Sequence, residues 1–124
     1  MGFLNALLGN ASTANKEDVI KEVEPILSDQ EEVDVAFKLI RDLIMFTDKR
    51  MILVDKQGLT GKKVDYHSIP YRSIAHFSVE TAGRFDLDAE LKIWVSGLAN
   101  PIQKQFKKDN SIYDIQKVLA NVCV

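Results

Sequence analysis

A single cysteine, Cys123, leaves the chain unable to form an internal disulfide. Such a chain suits a reducing compartment and must be held together by its core. A basic surplus is missing too. Sixteen Lys and Arg stand against eighteen Asp and Glu, for a net charge of -2, which argues against nucleic acid as a partner. Apolar stretches long enough to span a bilayer are absent. The opening Met1–Thr13 has no positive region of the kind that starts a secretory signal, and Ala6 stands where a myristoylation site requires Ser or Thr. These absences lead us to expect a cytoplasmic protein. What the 124 residues do contain is 46% hydrophobic side chains, ample for one core.

The densest apolar material lies in Asp42–Asp55, DLIMFTDKRMILVD. Two runs, Leu43–Phe46 and Met51–Val54, flank the polar tetrad Thr47–Arg50, which predicts a hairpin. A two-residue loop at Asp48-Lys49 sets Phe46 opposite Met51, Met45 opposite Ile52, and Ile44 opposite Leu53. Without Asn-Gly chemistry, a longer type I loop over Thr47–Arg50 is the alternative. Neither run alternates with polar residues, so both faces of the hairpin should be at least partly covered.

Around this hairpin the chain falls into order. Phe3, Leu4, Leu7 and Leu8 form one face of a short helix that ends at Gly9-Asn10 and must dock on something. Asn15 caps a second helix, whose apolar face is Val19, Ile20, Val23, Ile26 and Leu27, and Pro25 kinks or ends it. The acidic stretch Ser28–Glu32 reads as an exit loop. Val33, Val35 and Phe37 alternate with Asp34, Ala36 and Lys38, as in a strand with one wet face. Past the hairpin, Gly58 and Gly61 mark a flexible loop. Further strands are predicted over Val64–Ser68, ended by Pro70, and over Ile74–Thr81, Ala89–Ser96 and Ile102–Phe106. An amphipathic helix opens at Asn110 or Ser111 with the stripe Ile112, Ile115, Leu119 and Val122. Seven short strands and a closing helix predict a mainly β barrel or sandwich whose open end the helix plugs.

The series Ala36–Ile74, with its FTDKR, ILVD, GLTGKK and IPYRSI segments, together with His76–Gly97, resembles the bacterial pleckstrin-homology-like family of small proteins, mostly of unassigned function. The resemblance covers roughly the last three quarters of the chain, dividing it into an N-terminal helical extension, 1–30, and a pleckstrin-homology-like domain, 31–124. It implies a seven-stranded barrel of two orthogonal antiparallel sheets, capped by Ser111–Val122. It also implies homo-oligomeric rings, with pentamers expected. Eukaryotic relatives that bind phosphoinositides carry a lysine on the first strand and a basic pair on the second. Here Lys38 and Arg41 are present, but Asp42-Leu43-Ile44-Met45 fills the place of the pair, so the motif is broken. Those relatives also carry a tryptophan in the capping helix, whereas Trp94 lies on a strand.

Other candidate sites are diffuse. Lys38, Arg41, Lys49, Arg50, Lys62 and Lys63 are the candidate contacts for an anion or lipid, with Lys104, Lys107 and Lys108 as a further cluster. A solvated surface of mixed sign is the plainer reading. Asp86, Asp88 and Glu90 alternate, but Leu91 stands where a calcium loop needs Gly. An edge that resists strand pairing, or one that meets a neighbouring subunit, accounts for them better. Trp94 is opposite in parity to Leu91, Ile93 and Val95, which suits either a subunit contact or packing beneath an N-terminal helix. His67 and His76 lack metal-ligand spacing, and Cys123 has no adjacent histidine motif. No nucleophile elbow or phosphate loop is present. The sequence therefore predicts neither an enzyme nor a cofactor. It predicts a self-assembling interaction scaffold, with a peripheral domain that binds anionic lipid as the alternative.

Overall fold

The computed structural model describes residues 16–39, 42–57, 63–81, 83, 88–107 and 111–124. The expected helix over Phe3–Leu8, the Asn15 cap and the Gly58/Gly61 loop lie outside them. In order come α1 (Lys16–Val23), a 3-10 turn (Glu24–Ile26), β1 (Val33–Lys38), β2 (Leu43–Thr47), β3 (Arg50–Gln57), β4 (Lys63–Pro70), a 3-10 turn (Tyr71–Ser73), β5 (Ile74–Glu80), β6 (Asp88–Val95), β7 (Ile102–Lys107) and α2 (Ser111–Cys123). One sheet has the order β1-β2-β3-β4, the other β5-β6-β7. The chain divides into two compact units, Met1–Ser68 and Ile69–Val124.

In the first unit the hairpin takes the register read from the two-residue loop: Phe46 pairs with Met51, Met45 with Ile52, and Ile44 with Leu53. Both faces are indeed covered. On one lie Val35, Phe37, Ile44, Phe46, Met51 and Leu53, all at most 4% exposed. Phe37 and Phe46 meet there edge to face, with centroids 6.2 Å apart. On the other, Ala36, Met45, Ile52 and Val54 pack with Val23, Ile26 and Leu27 of the N-terminal segment, joined by Leu43, Val64 and Tyr66. This contact corrects the expectation of a wet face on β1. Ala36 is 2% exposed because the N-terminal segment lies over it, while Asp34 is half-buried and Lys38 stays exposed. A bulge between Val33 and Val35 turns Val33 onto the same side as Ala36. Pro25 falls inside the 3-10 turn that ends α1, as its missing donor requires.

In the second unit β6 is central. Leu91, Ile93, Ala89 and Phe106 are buried on one face, and α2 contributes Ile112, Ile115, Val118 and Leu119 to the buried set. Val118 extends the stripe predicted for this helix, while Val122 is only half-buried. The β6–β7 connection opens with a tight turn. The Leu98 amide donates to the Val95 carbonyl at 3.1 Å, and Gly97 takes φ +94 at the third position, where a side chain would be strained.

Candidate functional site

Three polar regions stand out. The first is at the hairpin turn, where Glu31 leaves the acidic loop and enters the protein with a side chain 0% exposed. Burial of a bare carboxylate is costly, and here Arg50 compensates for it in a two-point pair. Its Nε donates to Oε2 at 2.9 Å and one Nη to Oε1 at 2.8 Å. The Thr47 hydroxyl donates to Oε2 at 2.6 Å, and the Ser28 amide donates to Oε1 at 3.0 Å. The same Thr47 oxygen accepts from the Lys49 and Arg50 amides, which closes the turn. The remaining Arg50 donors reach the Ile26 carbonyl at 2.8 Å and the Ser68 hydroxyl at 2.7 Å. Arg50 thus ties together the exit from α1, the hairpin and β4. Its hydrogen bonds outweigh the opposing effect of burial and hold the Glu31 carboxyl at about 2, below its ordinary 4.5. Arg50 is itself pushed upward by the Glu31 bond. The arrangement is a structural anchor.

The second region is a set of exposed lysines. Lys38 ends β1 opposite Leu43, which pairs with Val54, so Lys38 and Lys56 lie near the same end of the sheet. Ser68 reaches Arg50 at the start of β3, so β4 runs back and its first residue, Lys63, also lies at the Lys38 end. Lys49 is at the opposite end, in the turn. The sequence-predicted set is therefore split. Lys38, Lys56 and Lys63 share one end of the sheet on three different strands, with Lys56 paired to Glu22, while Lys49 stands at the other end and Arg50 is committed to Glu31. Arg41, Lys62 and Lys108 lie outside the described residues, as does the Lys107 side chain, and Lys104 is half-buried.

The third region is the outer face of β5-β6-β7. Cross-strand pairing places His76 beside Trp94, Lys92 between Ser78 and Gln103, and Glu90 between Glu80 and Gln105. The His76 and Trp94 rings stack at 4.3 Å and 25°. His76 is exposed and Trp94 half-buried, while Leu91 and Ile93 on the other parity are fully buried. Asp88 and Glu90 border a shallow hollow of about 120 Å³ with Glu80, Thr81 and Gln105. The facing carboxylates of Glu80 and Glu90 are a mildly unfavourable pair, relieved by Lys92 at 3.6 Å from Glu90. Asp86 lies outside the described residues. Among the described residues no group of three or more His, Cys, Asp or Glu is arranged to hold a metal, and no helix is long and apolar enough to cross a membrane.

The sequence reading located Trp94 and the lysines but passed over Glu31 and Lys56. Glu31 sits in what looks like an ordinary acidic loop, 19 residues from its partner. No local spacing links the two, and the only hint is an arginine at a hairpin turn beside a threonine.

Comparison with known proteins gives a consistent result. A family model described as "Bacterial PH domain" matches residues 2–123. The uncharacterized protein YjqA of Bacillus subtilis (strain 168) is 67% identical over 125 residues, covering 100% of both chains. The uncharacterized protein YozO of the same organism is 32% identical over 113 residues, covering 91% of this chain and 96% of its own. Among solved structures, a pleckstrin homology domain from Shewanella amazonensis SB2B superposes with TM-score 0.80 at 54% identity, covering 99% of each chain.

Proposed function

Because this chain belongs to the bacterial PH domain family, with the mainly β, pleckstrin-homology-like fold of its solved relatives, we propose that it is a non-catalytic interaction module of the cytoplasm that assembles with copies of itself. Family resemblance makes a pentameric ring the expected form. The observation that carries this reading is the outer face of β5-β6-β7. It presents a partly exposed tryptophan stacked on an exposed histidine, with the charged pair Lys92 and Glu90 further along the same strand. Tryptophan is strongly favoured at the centre of interfaces. A ring repeats each weak contact several times, so modest affinities add up to avidity.

Light scattering at micromolar concentration tests the assembly. The expected result is a multimer that Trp94→Ala weakens by about tenfold or more. A monomer throughout would remove the assembly reading. A second reading, binding of anionic lipid, is favoured by one observation, the grouping of Lys38, Lys56 and Lys63 at one end of the four-stranded sheet. Vesicle flotation separates the two. Binding to anionic but not neutral vesicles, weakening as salt rises, belongs to the lipid reading. No flotation, with a multimer in solution, leaves the scaffold.

A further inference from the structure

Four strands stand at the edges of the two sheets: β1 and β4 of one, β5 and β7 of the other. A sheet edge invites pairing by another chain, and folded proteins blunt it with bulges, lysines or prolines. Three of these edges carry such devices. β1 has the bulge between Val33 and Val35 and ends in Lys38, and β4 starts at Lys63 and ends at Pro70. β7 holds Lys104 and Lys107 and follows Pro101. β5 differs. Its irregularity lies between Ile74 and His76, and from His76 the register runs unbroken to Glu80, with neither lysine nor proline in that stretch. Among the described residues β5 pairs with β6 alone. On the parity where Leu91 and Ile93 of β6 are fully buried, Phe77 and Val79 are only half-buried. On the other parity His76, Ser78 and Glu80 are exposed.

We propose that the outer edge of β5, His76–Glu80, takes up an extended segment of another protein as an added strand, with apolar and basic side chains alternating along it. The inference rests on reading the chain as an interaction module, and not on its assembly with copies of itself. In strand addition the backbone hydrogen bonds give affinity and the alternate side chains give specificity. Side chains of one parity meet Phe77 and Val79 and cover the apolar surface these leave open. Those of the other parity stand beside His76, Ser78 and Glu80. There Glu80 and Glu90 face each other across the strands, and Lys92 meets Glu90 at 3.6 Å. A lysine or arginine opposite Glu80 offsets the facing carboxylates, whereas an acidic strand is repelled by them. The edge supplies the binding and the charge selects among strands.

The probe is a blocked peptide, Lys-Val-Lys-Val-Lys, titrated into the full-length 15N-labelled protein and followed by amide shifts and hydrogen exchange. The expected result is a saturable shift centred on His76–Glu80, with exchange of the β5 amides slowed. The glutamate version, Glu-Val-Glu-Val-Glu, and the reordered Lys-Lys-Lys-Val-Val should each bind about fivefold or more weakly. Glu80 is exposed, so Glu80→Lys spares the fold, and it should narrow the preference for lysine over glutamate by about fivefold. No shift at about 1 mM lysine peptide overturns the proposal. So does a shift centred on another strand, equal binding of the reordered peptide, or a preference that Glu80→Lys leaves unchanged. Protection of the β5 edge in a multimer without peptide gives that edge to a second copy and overturns the partner proposed. Light scattering without peptide reads assembly separately, so failure of the docking edge and failure of the assembly reading are told apart.

Discussion

Replacing Glu31 with Gln keeps the shape of the side chain and removes its charge, so it isolates what the carboxylate contributes. The folded carboxyl titrates at about 2 against an ordinary 4.5, a gap of roughly 2.5 units, or about 3 kcal/mol. Glu31 is fully enclosed and Arg50 is 23% exposed, so water screens the pair only partly. Because the folded pKa is depressed, this stabilisation is fully present above 4.5. It fades as pH falls from there toward 2. Urea unfolding at pH 7 should therefore place Glu31→Gln below the parent by about 3 kcal/mol, a midpoint shift of roughly 2 M for a chain of this size. Between pH 4.5 and pH 2 the gap should close by about 1.4 kcal/mol per pH unit. Other carboxylates titrate alike in both proteins and cancel in the difference. A gap that is the same at pH 7 and pH 2.5 would refute the assignment of the stabilisation to the ionised carboxylate. So would a gap below about 0.5 kcal/mol at pH 7.

Phe46→Ala should cost about 3–5 kcal/mol, because it empties a fully enclosed site and removes the edge-to-face partner of Phe37, and a calorimetric scan reads the loss. Gly97→Ala meets no atom within 4 Å, so its whole effect should be backbone strain at φ +94, about 1 kcal/mol by denaturant unfolding. Burial pushes the Cys123 thiol upward from its ordinary 9.0. Its alkylation at pH 8 should therefore be slower than that of a free thiol and should keep accelerating as pH rises past 9, since only the thiolate reacts.

The central hairpin was legible in the sequence because its information is local. Two apolar runs and a two-residue turn determine the register, and the lack of alternation announces that both faces are covered. What covers the second face was not legible. The helix carrying Val23 was predicted, yet nothing in its spacing says that it lies on β1, so Asp34 and Ala36 looked like a wet face. Trp94 could be placed on the parity away from Leu91 and Ile93 because strand periodicity is strict, whereas its stack on His76 depends on a bulge between Ile74 and His76 that no residue type announces. Sequence spacing gives Lys49-Arg50 and Lys62-Lys63 as small clusters that could act together, with Lys38 as a further candidate. Strand direction separates them, putting Lys49 at the far end. Arg50 illustrates the general limit, since a charged residue at a turn reads as solvated until a distant loop delivers a carboxylate to it.

A hairpin buried on both sides also bears on the order of folding. Contacts between Met45 and Ile52 close a very short loop, the Arg50–Glu31 anchor closes one of 19 residues, and the Tyr66–Glu22 tie closes one of 44. Short loops lose least entropy on closing, so local pairing tends to precede distant docking. In transition-state terms, truncations at Ile44 and Leu53 should slow folding, while truncation at Val23 should mainly speed unfolding, and stopped-flow kinetics separates the two. Until α1 arrives, the early hairpin has Met45, Ile52 and Val54 uncovered, and this is the stage at which crowded chains would stick to one another. On this order the N-terminal segment seals this face of the hairpin after the hairpin has formed, and its docking sets how long that exposure lasts.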